Sequence, residues 1–435
     1  MWSNILQRWN KLSAFTFYQI LRYASLLFIS VLLTKVGLSK NQIGYYESFF
    51  LLSGVSSFFW IGGVMNALVS FTAGSSRDKI KQYFFNAFVV IVGLNLLTNL
   101  TLLFLFPIFT KLSIMMDAQR MILLVIFNLF NHTAYLVEHY YLITKRSKAL
   151  IAFSVLSVGL TVGLSSLTLL TNASIDYLLF ALVLAAIFRF IWLLAILIRN
   201  NCYVIDFPFL KPFIWQSALL ALSILLGSVA DYFDEMLVNL KYSKQWFAIF
   251  KYGAKEFPLL LLISNALNTV FIREISEDKA AGLTTIKRFS KRFMWVLYPI
   301  IILVLLTSPK WYPIVFDPGF LPSSPIFNLY LLLVVSRMLF PQSVLSGLGQ
   351  NQYLVYSALL EVCIHVGLSL LLQPLWGLNG LAIATVTAYT IDKLFLIGIC
   401  KLKFNVSLRD YLPIKTYLTL NSILVAVFIA FYYWR

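Results

Sequence analysis

Six basic residues, Arg22, Arg189, Lys251, Lys255, Arg337 and Lys393, fall inside long apolar runs of the chain. The stretch "YQILRYASLLF" from Tyr18 shows the pattern: one arginine stands in a segment otherwise suited to lipid. A central Arg or Lys costs about 2.5–3.5 kcal/mol on insertion scales, so six amount to roughly 18 kcal/mol before compensation. The cheapest relief is a shared water-filled cavity, and a cationic cavity within lipid implies an anionic ligand. Lys251 and Lys255 are four residues apart and project from one helix face. Arg22 and Arg337 have no acid within one helical turn, and the guanidinium fork grips two phosphate oxygens at once. These six residues form the candidate anion site, led by Arg22 and Arg337.

Six acids, Glu47, Glu138, Asp231, Glu256, Glu361 and Asp392, lie in or at the ends of the same runs. A second reading therefore stays open, in which each base is neutralised in a structural ion pair. A carboxylate at membrane depth also changes protonation with its access to water, so Asp231, Glu361 and Glu47 are candidates for coupling to H+ or Na+. His365 lies four residues after Glu361, which suits either proton exchange or an ordinary interhelical hydrogen bond. His132 and His139 are seven apart, whereas helical metal ligands need three or four and a further donor. They read as hydrogen-bonded histidines. Cys202, Cys363 and Cys400 form no CxxC, and neither a disulfide framework, a metal nor a cofactor is expected.

The elements that must hold these groups are plain from composition. Of 435 residues, 60% are hydrophobic and only 12% charged, about half the charged share of soluble domains. Thirteen apolar runs of about 20 residues, from 13–34 to 412–433, predict an all-α polytopic membrane protein. They are too long for the strands of a membrane barrel. The first run has no small-x-small cleavage site and is expected to stay as a span. Net charge +17 has no soluble domain on which to form a nucleic-acid stripe, so nucleic acid is not an expected partner. With the N-terminus cytoplasmic, inner loops carry nineteen basic residues against eight outside, which satisfies the positive-inside rule. No loop exceeds about 20 residues, so nothing resembles an extramembrane catalytic domain and no enzyme is expected.

The polar, proline-containing stretch "RNNCYVIDFPFLKP" after Ile198 divides the runs six and six, giving lobes 1–200 and 201–402 and an additional span in 403–435. Three correspondences share an offset of 204 residues: "SKNQIG" at Ser39 with "SKQWFA" at Ser243, "VGLS" at Val162 and Val366, and Arg189 with Lys393. They predict a duplicated six-helix unit with a pseudo-two-fold along the membrane normal and a substrate site between halves. The glycine-rich stretches "WIGGVMNAL" and "GLNGLAIATV" suit close packing or a hinge.

"LLTKVGLSKNQIGYYESFFLLSGV" followed by "IGGVMNALVSF" resembles the opening spans of bacterial polysaccharide flippases. "LSGLGQNQYLVYSALLEVCIHVGLSLLLQPLWGLNGLAIATVTAY" resembles that family's late region. "SVADYFDEMLVNL" through "FAIFKYGAKEFPLLLLISNALNTVFIREIS" is similar to the start of its second half, with Asp231 as the acid of the seventh span. The resemblance implies the polysaccharide transporter and O-antigen flippase family of the multidrug/oligosaccharidyl-lipid/polysaccharide (MOP) exporter superfamily. It implies two six-helix lobes working by alternating access in the bacterial inner membrane. The implied substrate is an undecaprenyl-diphosphate-linked oligosaccharide for O-antigen, capsule or exopolysaccharide, and Arg22 carries over as the basic residue of the first helix. The thirteenth span departs from a twelve-helix plan. Two alternatives remain: a cation-coupled multidrug exporter of the same superfamily, whose cavity should be acidic, and a membrane polysaccharide polymerase or acyltransferase. A polymerase calls for a large outer loop and an acyltransferase for a His near a cytoplasmic tunnel.

Overall fold

All regular structure among the described residues is helical, because in lipid each backbone N–H and C=O must be satisfied within its own segment. The structure is a computed structural model describing residues 2–72, 74–111, 117–172, 174–255 and 258–433. Side chains at 2–13, 108–111, 172, 226–227, 230–231, 258–263, 265–266, 269, 273 and 433 are outside the description. The candidate Asp231 is thus described in backbone only, while Glu256 lies outside the described residues.

The chain separates into two compact units. The first comprises 1–225 and 239–248, and the second 226–238 and 249–435. The first holds α1 (Trp2–Lys35), α2 (Lys40–Val55), α3 (Phe58–Thr72), α4 (Arg77–Lys111), α5 (Ala118–Ile143), α6 (Ser147–Asn172) and α7 (Ile175–Asn200). It also takes parts of α8 (Phe207–Lys241) and α9 (Lys244–Gly253), whose remainders belong to the second unit. The second unit adds α10 (Pro258–Glu277), α11 (Lys279–Val315), α12 (Ser323–Leu331), α13 (Leu333–Arg337) and α14 (Pro341–Gly347). It ends with α15 (Gln352–Phe404), α16 (Leu408–Tyr411) and α17 (Ile414–Tyr433).

Among the described residues nine helices are long and apolar enough to cross a membrane, or up to eleven if each bent pair counts as one span. Two of the expected runs are broken. The 43–70 run is α2 and α3, bent by 47° at "SGVSS", where Ser57 Oγ bonds back to the Ser53 carbonyl at 2.7 Å. Glycine and serine pairs of this kind kink helices. The 325–346 run bends by 41° before Pro341, which lacks the N–H to continue and disfavours helical backbone in the residue before it. The run 248–272 falls on α9 and α10, on either side of Glu256 and Phe257.

At α15 two expected runs, 353–373 and 378–400, join into 53 helical residues. A straight helix of that length would measure roughly 80 Å, against a hydrocarbon core of about 30 Å. Gly377 breaks it with φ 58° and ψ −135°, a conformation open to glycine alone. A Cβ on Gly380 would lie 2.2 Å from the Leu372 carbonyl oxygen, so the chain folds tightly back there as two spans.

In the first unit α5 packs on α7 and α1 on α6, around Tyr18, Trp60, Leu68, Phe84, Leu136, Phe153, Leu193 and Phe213. A buried amide chain runs through this core. Ser53 Oγ donates to Asn128 Oδ1 at 2.7 Å, Asn128 to Asn99 Oδ1 at 3.3 Å, and Asn99 to Asn95 Oδ1 at 2.8 Å. Such groups are tolerated in a membrane only when bonded to one another. In the second unit the final helix α17 packs on α11, joined by Tyr298 Oη donating to Asn421 Oδ1 at 2.8 Å.

Candidate functional site

Two of the sequence candidates, Arg22 and Arg189, come together in the first unit. Tyr18 and Arg22 share one face of α1, and Tyr135 and Glu138 share one face of α5. Arg22 donates to the Tyr135 hydroxyl and its guanidinium stands 4.7 Å from that ring's centroid. Tyr18 and Glu138 are both buried. Arg189 enters from α7, its Nε donating to the Ala185 carbonyl at 3.4 Å. Arg22 and Arg189 each interact electrostatically with Tyr18, Tyr135 and Glu138. Two guanidiniums thus face one carboxylate, leaving the cluster with an excess positive charge. Both histidines nearby are hydrogen-bonded: His132 Nε2 to Ser53 Oγ at 3.2 Å and His139 Nδ1 to the Tyr135 carbonyl at 2.9 Å.

The remaining four bases lie in the second unit, in different settings. Arg337 ends α13 and stands 5.1 Å from the centroid of Tyr389. Lys255 stands 4.3 Å from the centroid of the buried Tyr252. Lys251 is paired with Glu235 at 2.5 Å and Lys393 with Asp392 at 2.6 Å. Those two pairs follow the ion-pair reading that the sequence left open.

The second unit also builds a site that sequence reasoning missed. Asp234 of α8, buried at 3% exposure, accepts from Ser369 Oγ at 2.7 Å on one oxygen. Its other oxygen lies 3.0 Å from His365 Nε2 and 3.0 Å from Thr385 Oγ1. His365 and Ser369 are one helical turn apart before Gly377 in α15, and Thr385 lies after it. The fold-back at Gly377 is therefore what brings both arms onto one carboxylate. His365 pairs with Asp234, although Glu361 was its nearest acid in sequence. Glu361 is half-buried on the preceding turn, and Glu47 is buried in α2. The spacing of His365 and Ser369 was the available signal; the partner on α8 was not.

One further cation is buried at a helix start. A Cβ on Gly44 would lie 2.0 Å from the Lys244 carbonyl oxygen, so α2 and α9 meet with no room for a side chain. Lys244 Nζ donates to Asn239 Oδ1 at 2.6 Å and to Ser48 Oγ at 3.2 Å. Burial pulls its ammonium down to about 8. Among the described residues no cluster of three His, Cys, Asp or Glu side chains could hold a metal ion.

No family model matches the sequence, and no curated protein matches it. Solved structures do resemble it. The lipid II flippase MurJ in an inward closed conformation has TM-score 0.69 at 16% identity, over 95% of this chain and 92% of that one. The eukaryotic MATE transporter AtDTX14 has TM-score 0.64 at 14% identity, over 96% of this chain and 99% of that one. An inward-facing multidrug resistance MATE family transporter of the MOP superfamily has TM-score 0.59 at 12% identity, over 93% and 95%. At these identities the likeness is one of fold alone: the helices of this chain are arranged as in those multi-pass membrane proteins.

Proposed function

We propose that this chain is a flippase for undecaprenyl-diphosphate-linked oligosaccharides in the bacterial inner membrane, supplying O-antigen, capsule or exopolysaccharide synthesis. The observation that carries the reading is the cluster of Arg22 and Arg189 around a single acid, Glu138. Its excess positive charge suits a diphosphate, and planar guanidiniums match two phosphate oxygens each. Arg337 and Lys255 of the second unit each stand against an aromatic ring. Lys251 and Lys393 contribute less because Glu235 and Asp392 offset them.

In this reading the protein works by alternating access to the head group while the polyprenyl tail stays in lipid. No covalent chemistry is required. The excess of basic residues in one set of loops supports a cytoplasmic N-terminus. Coupling to H+ or Na+ falls on Asp234 with His365, a buried carboxylate 3.0 Å from an imidazole within the helices. Resemblance in fold to a lipid II flippase supports a lipid-linked substrate.

Deletion of the gene should make lipid-linked repeat units accumulate on the cytoplasmic face. Wild-type protein should restore surface polysaccharide, and Arg22→Glu, expressed at the same level, should not. The fold likeness to MATE transporters favours a second reading, a cation-coupled multidrug exporter. It predicts a changed drug-susceptibility profile in the deletion strain and unchanged polysaccharide.

A further inference from the structure

In the first unit two adjoining cavities, neither of them lined by Arg22, Tyr135, Glu138 or Arg189, share Tyr140, Arg146 and Arg199. The smaller, about 250 Å³, is lined by Arg77, Lys81, Arg146 and Arg199 and by no carboxylate. Lys81 carries an exposed partner, Asp78, at 3.0 Å, so the cavity keeps a clear excess of positive charge. The larger, about 360 Å³, is lined by Phe188, Ile191, Trp192 and Ala195 of α7. Ile191, in its lining, and Ile198 are more than half exposed on a helix long and apolar enough to span a membrane.

The basic groups are held in place by the backbone. α5 ends in a Schellman motif: Lys145 takes a left-handed φ of 60°, and the Arg146 N–H reaches the Tyr141 carbonyl at 2.9 Å. α7 ends at Asn201, with φ 46°, two residues after Arg199. Tyr140 Oη donates to Asn200 Oδ1 at 2.7 Å and ties the two helix ends together. Trp192 Nε1 donates to Tyr141 Oη at 2.8 Å and fixes one side of the larger cavity.

We infer that this pair of cavities is a binding site for an anionic phospholipid, with the phosphate among Arg77, Arg146 and Arg199 and an acyl chain along Phe188, Ile191 and Trp192. A soluble anion would use the first cavity and gain nothing from the second. A neutral lipid would leave several guanidiniums without a counter-charge. Basic pockets between spans on the positive side of a membrane protein attract anionic head groups, with each Lys or Arg contributing measurably. The lining residues of this site are other than those of the Arg22 cluster.

The full-length protein, purified in mild detergent, tests this by native mass spectrometry with dioleoyl phosphatidylglycerol, dioleoyl phosphatidylcholine and inorganic phosphate. Phosphatidylglycerol should be retained over phosphatidylcholine, and Arg146→Gln with Arg199→Gln should weaken it about thirtyfold. Removing equal charge elsewhere, by Lys291→Gln with Arg292→Gln, should leave retention intact. Should the double variant fail to purify as a single species, Arg199→Gln alone, on an exposed position, should cost about fivefold. Equal retention of both lipids, displacement by equimolar inorganic phosphate, or an equal loss in the control variant would overturn the assignment.

Discussion

His365 Nε2 lies 3.0 Å from Asp234 Oδ2 across 131 residues of sequence, both side chains almost wholly buried. Ser369 and Thr385 complete the set, so the carboxylate accepts three bonds within a helical bundle. Removing one partner leaves a buried acceptor short of a donor, at a cost of about 1–3 kcal/mol. His365→Ala is expected to lower the thermal midpoint of the detergent-solubilised protein, and Asp234→Asn with His365→Ala to recover part of it. Transport driven by an imposed ion gradient should be lost in Asp234→Asn, read as lipid translocation in proteoliposomes.

Lys244 gives the fold a pH dependence outside the spans. Its folded value is pulled from 10.5 to about 8 by burial. Between about 8 and 10.5 the unfolded chain holds a proton that the folded chain has released. Stability therefore rises with pH through that window and is level, in this respect, below it. Thermal midpoints recorded from pH 7.5 to 10 should climb for the wild type and climb less for Lys244→Met.

Gly377 sets the close of α15. Its φ of 58° with ψ −135° is a region that a side chain disfavours by about 1–3 kcal/mol. Gly377→Ala should reduce the folded yield and the thermal midpoint, whereas Gly367→Ala, where nothing lies within 4 Å, should change little. Equal stability of the two variants would remove Gly377 as the determinant of the fold-back that unites His365 with Thr385.

Hydropathy alone located the spans, since burial in lipid demands continuous apolar helices. It could not show the breaks in α2–α3 and α12–α14, because a kink changes backbone angles and leaves the apolar count unchanged. Ser39 and Ser243, 204 residues apart in the sequence correspondence, both stand before helices and both accept from a backbone N–H three residues on. Arg22 and Arg189 were visible as isolated charges, but Tyr135 as the partner of Arg22 depends on α1 meeting α5. Asp234 was hidden for the same reason: three residues from Asp231, it is chosen by contact with α15 and by no local spacing. Lys251 and Lys393 looked like Arg22 in sequence and differ because Glu235 and Asp392 reach them.

The central claim is that Arg22 and Arg189 hold a diphosphate. Microscale thermophoresis of the detergent-solubilised protein with undecaprenyl diphosphate, and with undecaprenol as the uncharged control, tests it most directly. Arg22→Gln with Arg189→Gln and Glu138→Gln renders the cluster neutral without stranding a buried acid. The wild type should bind the diphosphate selectively and the triple variant at least about tenfold more weakly, since truncating buried charge contacts costs about 2–5 kcal/mol. Unchanged affinity in the triple variant, or equal binding of undecaprenol by the wild type, would contradict the account.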